Sequence, residues 1–349
     1  MLCALIMAGG KGTRFWPVST KSRPKQFLKL LGEDTMIQMT VKRLRKLISI
    51  ERIFIITEKR YIHLVKEQLP ELPQRNIIME PIGKNTAPCI ALSAFYINKI
   101  CKNSTIAVLP ADHLIVNEEE FIETLKDADE FVEKRKEAIV TIGMKPNRAE
   151  IGYGYIKFSD MDCVINRHEI RKVQKFVEKP NKEKAEQYLK EGHYLWNAGM
   201  FIWKTSNILR LTKLYLENTF NILREITELS DEEYQKSLEE KYTQVDSISV
   251  DYGIMEKADN IYVIPSAFGW DDVGSWSALE RCKKKDCNGN VSIGNVKSID
   301  GRNNIIVSNS KSIIIDGVND IYVVENDGVI IIGKKDRLVN IKELKETVG

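Results

Sequence analysis

The chain has 349 residues, room for one large α/β domain with a small appendage or for two ordinary domains. Hydrophobic residues make up 43% and charged residues 29%, which excludes a disordered chain. The 52 lysines and arginines nearly balance the 49 aspartates and glutamates, so the net charge of +3 supplies no basic stripe for nucleic acid.

Strand and helix alternate through residues 2–144. Residues 2–7 are a continuous apolar run ending in Ala8-Gly9-Gly10, the pattern of a buried parallel strand. Residues 35–48 read as an amphipathic helix with Ile37, Val41, Leu44 and Ile48 on one face. Strands are expected at 52–57, 76–80, 105–109 and 138–144, and helices at 59–69, 86–102 and 118–137. Alternating units of this length imply a mainly parallel sheet with helices on both faces. The pattern then changes. Two β segments at 153–158 and 171–178 flank a polar loop, 181–191 is a charged helix, and 196–203 is apolar and buried. Residues 205–243 read as helical, with no glycine or proline; a strand at 261–264 and a helix at 274–283 follow. From 286 onward, short β-branched runs recur at 304–307, 312–315, 321–324 and 329–332. Their starts lie eight or nine residues apart with Gly, Asn and Asp between them, which indicates a compact β tail resembling a short β-helix. The expected division is a catalytic domain over 1–285 and a small all-β domain over 286–349.

Six scattered cysteines form no CxxC pair and no zinc spacing, which fits reduced thiols in a cytoplasmic protein. The apolar start is too short for a signal peptide, and no run approaches the roughly 20 residues that span a bilayer. A soluble protein without a membrane partner is expected. The runs Arg43-Leu44-Arg45-Lys46 and Lys283-Lys284-Lys285 read as solvated faces. His63, His168 and His193 read as surface residues, and no histidine has a Ser or Cys partner in a nucleophile motif.

The chemistry begins after the first strand, at Gly9-Gly10-Lys11-Gly12-Thr13-Arg14. Glycines let the backbone bend and bring its N–H groups to an anion, while Lys11 and Arg14 add positive charge. A phosphate cradle at the carboxyl end of a strand is where open α/β sheets place ligands. A dinucleotide fingerprint would need a small residue where Phe15 stands, and a Walker loop would need Gly-Lys-Ser/Thr after a four-residue gap. Lys25, in Pro24-Lys25-Gln26-Phe27, can return to the same phosphates. Asp112 ends the fourth strand in Leu109-Pro110-Ala111-Asp112-His113, facing the ligand crevice, where a carboxylate can hold Mg²⁺.

The run from Ala8 to Pro17, together with Pro24-Lys25-Gln26-Phe27, resembles the signature of the sugar-nucleotide pyrophosphorylases, and is most similar to their mannose-1-phosphate guanylyltransferase branch. The resemblance implies a Rossmann-like, GT-A-like nucleotidyltransferase fold with a short left-handed β-helix-like tail. It assigns the triphosphate to the loop of Ala8, Gly9, Gly10, Gly12 and Thr13, with Arg14 and Lys25 neutralising charge. Phe15 stands where leucine is commoner. Glu80-Pro81-Ile82-Gly83-Lys84-Asn85-Thr86-Ala87-Pro88 resembles the base-binding segment, with lysine where arginine is commoner, and so implicates Glu80, Pro81, Asn85, Thr86 and Ala87. A carboxylate or carbonyl there suits the N–H donors of guanine; Thr86 also has a helix-capping role open to it. Phe268-Gly269-Trp270-Asp271-Asp272-Val273-Gly274 implies that Asp272 shares the metal with Asp112, although Asp271 is adjacent. Gly154, Glu178, Lys179 and Asn197 match the positions that hold the sugar phosphate, and Asp251 is a possible support. His113 is expected beside Asp112.

The implied reaction transfers GMP from GTP to mannose 1-phosphate, with Mg²⁺, giving GDP-mannose and pyrophosphate, in a homodimer. Other sugar and nucleotide pairs, a non-catalytic sugar-nucleotide sensor, and a nicotinamide oxidoreductase remain as alternatives. Against the last stands the missing third glycine.

Overall fold

A computed structural model describes residues 1–10, 12–340 and 344; Lys11 lies outside the described residues. The chain divides into two compact units, one of Met1–Gly9, Val41–Ala111 and Ile115–Trp270, the other of Gly10–Thr40, Asp112–Leu114 and Asp271–Gly349.

The first unit is built on nine strands: β1 (Leu2–Met7), β2 (Ile53–Glu58), β3 (Ile77–Glu80), β4 (Thr105–Pro110), β5 (Ile139–Met144), β6 (Tyr155–Ile165), β7 (His168–Val177), β8 (Tyr194–Lys204) and β9 (Ile261–Ser266). Their order in the sheet is β3-β2-β1-β4-β8-β5-β9-β7-β6. β3, β2, β1 and β4 are mutually parallel, as are β5 and β9, while β8 runs antiparallel between β4 and β5. The first strands are apolar throughout because both faces of a parallel sheet are covered; Cys3, Ala4, Leu5 and Ile6 are fully buried. Helix α1 (Met36–Leu44) is shorter than the expected 35–48, and α2 (Ile62–Gln68), α3 (Thr86–Ile100) and α4 (Glu118–Lys134) follow the expected pattern. Asn85 caps α3 by accepting from the Thr86 N–H, and Asn117 caps α4 by accepting from the Glu120 N–H.

Three expectations need correction. The polar stretch 159–170 is not a loop: most of it is strand, and β6 and β7 form one long hairpin turning at Asn166 and Arg167. Register shifts between Lys157 and Cys163 interrupt its alternation. His168 is not on the surface. It is 7% exposed, with Nδ1 2.6 Å from Asp127 Oδ2 and Nε2 2.9 Å from Glu120 Oε1, which pins the hairpin to α4. Arg43 is likewise buried, where Glu118 on α4 pairs with it at 3.3 Å. The helical stretch after β8 breaks into α6 (Thr205–Tyr215), α7 (Glu217–Glu228) and α8 (Asp231–Lys241), following α5 (Lys182–Glu191).

In the second unit six short strands wind into a coil: β10 (Val291–Ile293), β11 (Val296–Ile299), β12 (Ile305–Ser308), β13 (Ile313–Asp316), β14 (Ile321–Asn326) and β15 (Val329–Lys334). β10, β12 and β14 stack in parallel, with β15 closing antiparallel, and β11 stacks on β13. Ile305 pairs with Tyr322 and Val296 with Ile313, so these turns span 17 residues, while Val291 pairs with Ile305 across a shorter turn of 14. The eight-to-nine-residue rhythm is half of the longer turn. Corner residues ladder at the longer period: Asn295 donates to Ser312, Asn303 to Asp320, and Asn309 to Asn326.

Candidate active site

Residues from all three chain segments of the second unit line one cleft of about 350 Å³: Gly12, Thr13, Arg14, Phe15, Lys25, Asp112, His113, Asp272 and Gly274. Gly12 has φ 52°, and a Cβ there would lie 2.5 Å from the Lys25 backbone nitrogen and 2.8 Å from Pro24 Cβ. Only glycine fits the close crossing of these two loops. Behind the loop, Phe15 is fully buried and meets the Trp276 ring edge-on at 4.9 Å, and its N–H donates to Ser19 Oγ.

Lys25 is 7% exposed, and its ammonium joins the two sequence-distant aspartates. Nζ lies 2.9 Å from Asp112 Oδ2 and donates to the Asp272 carbonyl. Burial alone would raise the Asp112 carboxyl, but the Lys25 ammonium, with His113 beside it, outweighs burial and holds the carboxyl below the ordinary aspartate value. His113 thus sits where the sequence put it. Asp112 remains a carboxylate near neutrality.

The neighbouring aspartates 271 and 272 separate cleanly. Asp271 is 7% exposed and takes both Arg281 Nε (2.8 Å) and Nη2 (3.2 Å). It also accepts from the Val273 N–H, bracing a buried valine at φ 46°. A β-branched residue in that region carries strain of order 1–3 kcal/mol, so the turn needs such a brace. Asp272 instead lines the cleft, and Gly274 beside it has no room for a Cβ, which would fall 2.6 Å from Asp272 Oδ2. Arg281 was not visible as a functional residue in the sequence.

The base-binding candidates lie in the first unit. The Ala8 N–H donates to the Ile56 carbonyl and its own carbonyl accepts from Thr57 Oγ1, fixing the end of β1. Glu80 ends β3 with its side chain turned inward, 3% exposed. Burial raises its carboxyl to about 7, against the hydrogen bonds donated by Tyr242 Oη (2.8 Å) and the Lys84 N–H (3.3 Å). Tyr242, which the sequence reading missed, is fully buried. The carboxylate therefore braces the turn from Pro81 to Asn85. Asn85 has φ 73°, and Thr86 Oγ1 accepts from the Val250 N–H while the Ala87 N–H donates to the Ile248 carbonyl. The segment is clamped from both ends, with Ile82, Gly83 and Asn85 left exposed.

The sugar-phosphate candidates also gather in the first unit. A Cβ on Gly154 would lie 2.6 Å from Glu178 Oε2 and 3.4 Å from Asn197 Cβ. The Asn197 N–H donates to the Gly154 carbonyl at 2.8 Å. Lys179 Nζ is 2.6 Å from Glu178 Oε1, and Lys179 is exposed. Asn197 Nδ2 donates to Asp251 Oδ1 at 2.9 Å, bringing in the residue the sequence marked only as a support.

Comparison with known proteins follows the same lines. The model of the nucleotidyl transferase family matches residues 3–289. The chain is 36% identical over 354 residues to mannose-1-phosphate guanylyltransferase 2 of Escherichia coli O157:H7, covering 99% of this chain and 73% of that protein. It is 40% identical over 315 residues to the mannose-1-phosphate guanylyltransferase of Salmonella montevideo, covering 87% of this chain and 64% of that one. Among solved structures, a mannose-1-phosphate geranyltransferase from Thermus thermophilus matches with a TM-score of 0.88 and 30% identity, over 99% of both chains.

Proposed function

Because the chain belongs to the nucleotidyl transferase family, we propose that it transfers GMP from GTP to mannose 1-phosphate, yielding GDP-mannose and pyrophosphate. The observation that carries this reading is the Lys25 ammonium on Asp112 and the Asp272 carbonyl, in a cleft lined by the glycine loop and Arg14. The two relatives named as guanylyltransferases support the choice of substrates.

Gly12, Thr13 and Arg14 cradle the triphosphate, and Lys25 neutralises charge that builds on the leaving pyrophosphate. The Pro81–Ala87 turn presents backbone groups to guanine; Glu80 shapes it from within. Glu178 takes sugar hydroxyls, Asn197 and the Gly154 backbone hold the sugar, and Lys179 pairs with the sugar's phosphate. An oxygen of that phosphate attacks the α-phosphorus of GTP in line, and the bond to the pyrophosphate oxygen breaks. A phosphate monoester loses its second proton near pH 6, so no general base is required. Catalysis rests on positioning and on charge.

Asp112 and Asp272 offer hard oxygen donors in one cleft, and two carboxylates suit Mg²⁺, which keeps waters and substrate phosphates as its other ligands. Held by these carboxylates, the ion would supply charge neutralisation to the phosphate oxygens. The reading extends to a homodimer, to a catalytic region over 1–285 with a β region over 286–349, and to the cytoplasm. No helix among the described residues is long and apolar enough to cross a membrane.

The test is pyrophosphate release with Mg²⁺, across GTP, ATP, UTP and dTTP crossed with mannose and glucose 1-phosphates. Release confined to GTP with mannose 1-phosphate supports the full reading. Silence in every combination overturns it.

A further inference from the structure

Asn197 is held at both ends of its amide. Nδ2 donates to Asp251 Oδ1 at 2.9 Å, and Oδ1 accepts from the Gly199 N–H at 3.0 Å. A carboxylate cannot donate and a backbone N–H cannot accept, so these partners allow one amide orientation only. One N–H and one lone pair are left over, each aimed in a fixed direction. Gly199, at φ 65°, anchors the oxygen end, and Asp251 alone anchors the nitrogen end. Asp251 opens the π-helical turn Asp251–Met255 and is partly buried. The groups that face it are Glu178 and Lys179 beyond the end of β7, and Asn197 on β8.

On the sugar-binding reading given above, we infer that Asp251 is a positioning residue of the sugar pocket, locking the Asn197 amide so that its free donor and acceptor meet the sugar hydroxyls. The role would be idle if the amide were held elsewhere, but no other side-chain bond to Nδ2 occurs among the described residues. Burial, and then the charge of Glu178, raise the Asp251 carboxyl to about 6, against the Asn197 hydrogen bond and Lys179. Above that pH Asp251 is an anion and the lock is a charge-assisted bond. Below it the bond weakens and the amide gains freedom, so affinity for the sugar phosphate falls while affinity for GTP does not.

The experiment measures kcat and both KM values from pH 5 to 8.5 for the full chain and for Asp251→Ala and Asp251→Asn. The alanine variant should raise the KM for mannose 1-phosphate roughly tenfold or more, as expected for losing a hydrogen bond to a charged group, with the KM for GTP unchanged. The asparagine variant keeps an acceptor. It should raise that KM less and lose the enzyme's own inflection near pH 6, retaining only the inflection from the substrate's phosphate, whose second pKa is about 6. An unchanged sugar-phosphate KM in Asp251→Ala overturns the inference, as does a wild-type pH profile in Asp251→Asn or an equal rise in both KM values. The ¹⁵N side-chain amide signal of Asn197 gives a readout free of any substrate. It should titrate near pH 6 in the wild type and stay flat in Asp251→Asn; a flat wild-type signal overturns the inference. Inactive wild type with a titrating Asn197 signal would instead count against the substrate assignment.

Discussion

Asp271 and Asp272 are adjacent, yet Arg281 engages the first and the cleft receives the second. Substituting Asp272→Asn or Asp112→Asn should therefore lower kcat by about 10²-fold or more, with an unchanged circular dichroism spectrum. Asp271→Asn should act on stability instead. It removes the charge of the buried Asp271 from its pair with the exposed Arg281 and weakens the brace on Val273, so the thermal midpoint should drop while part of the activity survives. The reverse pattern in parallel assays would exchange the two roles. Lys25 and Asp112 were legible as cleft candidates from the chemistry of their own segments, and Asp272 only through the resemblance to the sugar-nucleotide pyrophosphorylases. Arg281 was not, since its duty depends on a turn at positive φ that no composition announces. His168 and Arg43 were misread for a related reason. A basic residue is called exposed by default, and its burial depends on carboxylates 41 and 75 residues away in sequence.

At the scale of elements, β3 and the short helical turn Tyr242–Gln244 share one buried carboxylate. Glu80 in the unfolded chain titrates near 4.5, and in the fold burial raises it to about 7. The native state thus binds the proton more tightly than the unfolded one. Stability is full below the unfolded pKa and declines as pH rises through 7, by up to about 3 kcal/mol. Glu80→Gln keeps an oxygen for Tyr242 and Lys84 but carries no charge. Denaturant unfolding should find it more stable than the wild type at pH 8 and equal to it near pH 4.5; equal stability at both would show that Glu80 is not held as a buried acid. Elements themselves were readable where one period dominated. The apolar strands β1 and β4 and the amphipathic α4 stand close to where their patterns put them. The hairpin β6–β7 was read short because its middle pairs through register shifts near Phe158 and Met161, which interrupt the two-residue alternation.

Across the whole molecule, the second unit draws on three stretches of chain, and its core explains why. Phe15, Leu28, Trp276 and Leu279 pack in one cluster with Val291, Ile305, Val307, Tyr322 and Val324 of the coil. The sequence showed a β tail by its rhythm but could not show that the tail's apolar side forms the floor beneath the glycine loop, because that needs contacts between residues far apart in the chain. Asn326 makes the same connection in polar terms, donating to the Pro17 carbonyl at 3.0 Å. The coil is therefore part of the cradle's support. Tyr322, 2% exposed, tests this directly. Tyr322→Ala removes a buried ring and should cost roughly 3 kcal/mol. If the floor sets the cradle, the loss should appear twice: as a lower thermal midpoint, and as weaker GTP binding by calorimetry well below that midpoint. Ile314→Ser, at a coil position 68% exposed, should change neither. A Tyr322→Ala protein that melts early yet binds GTP with wild-type affinity would separate the coil from the cradle. Weakened binding in that variant alone would tie Phe15, and through it the turn from Gly12 to Arg14, to residues at the far end of the chain.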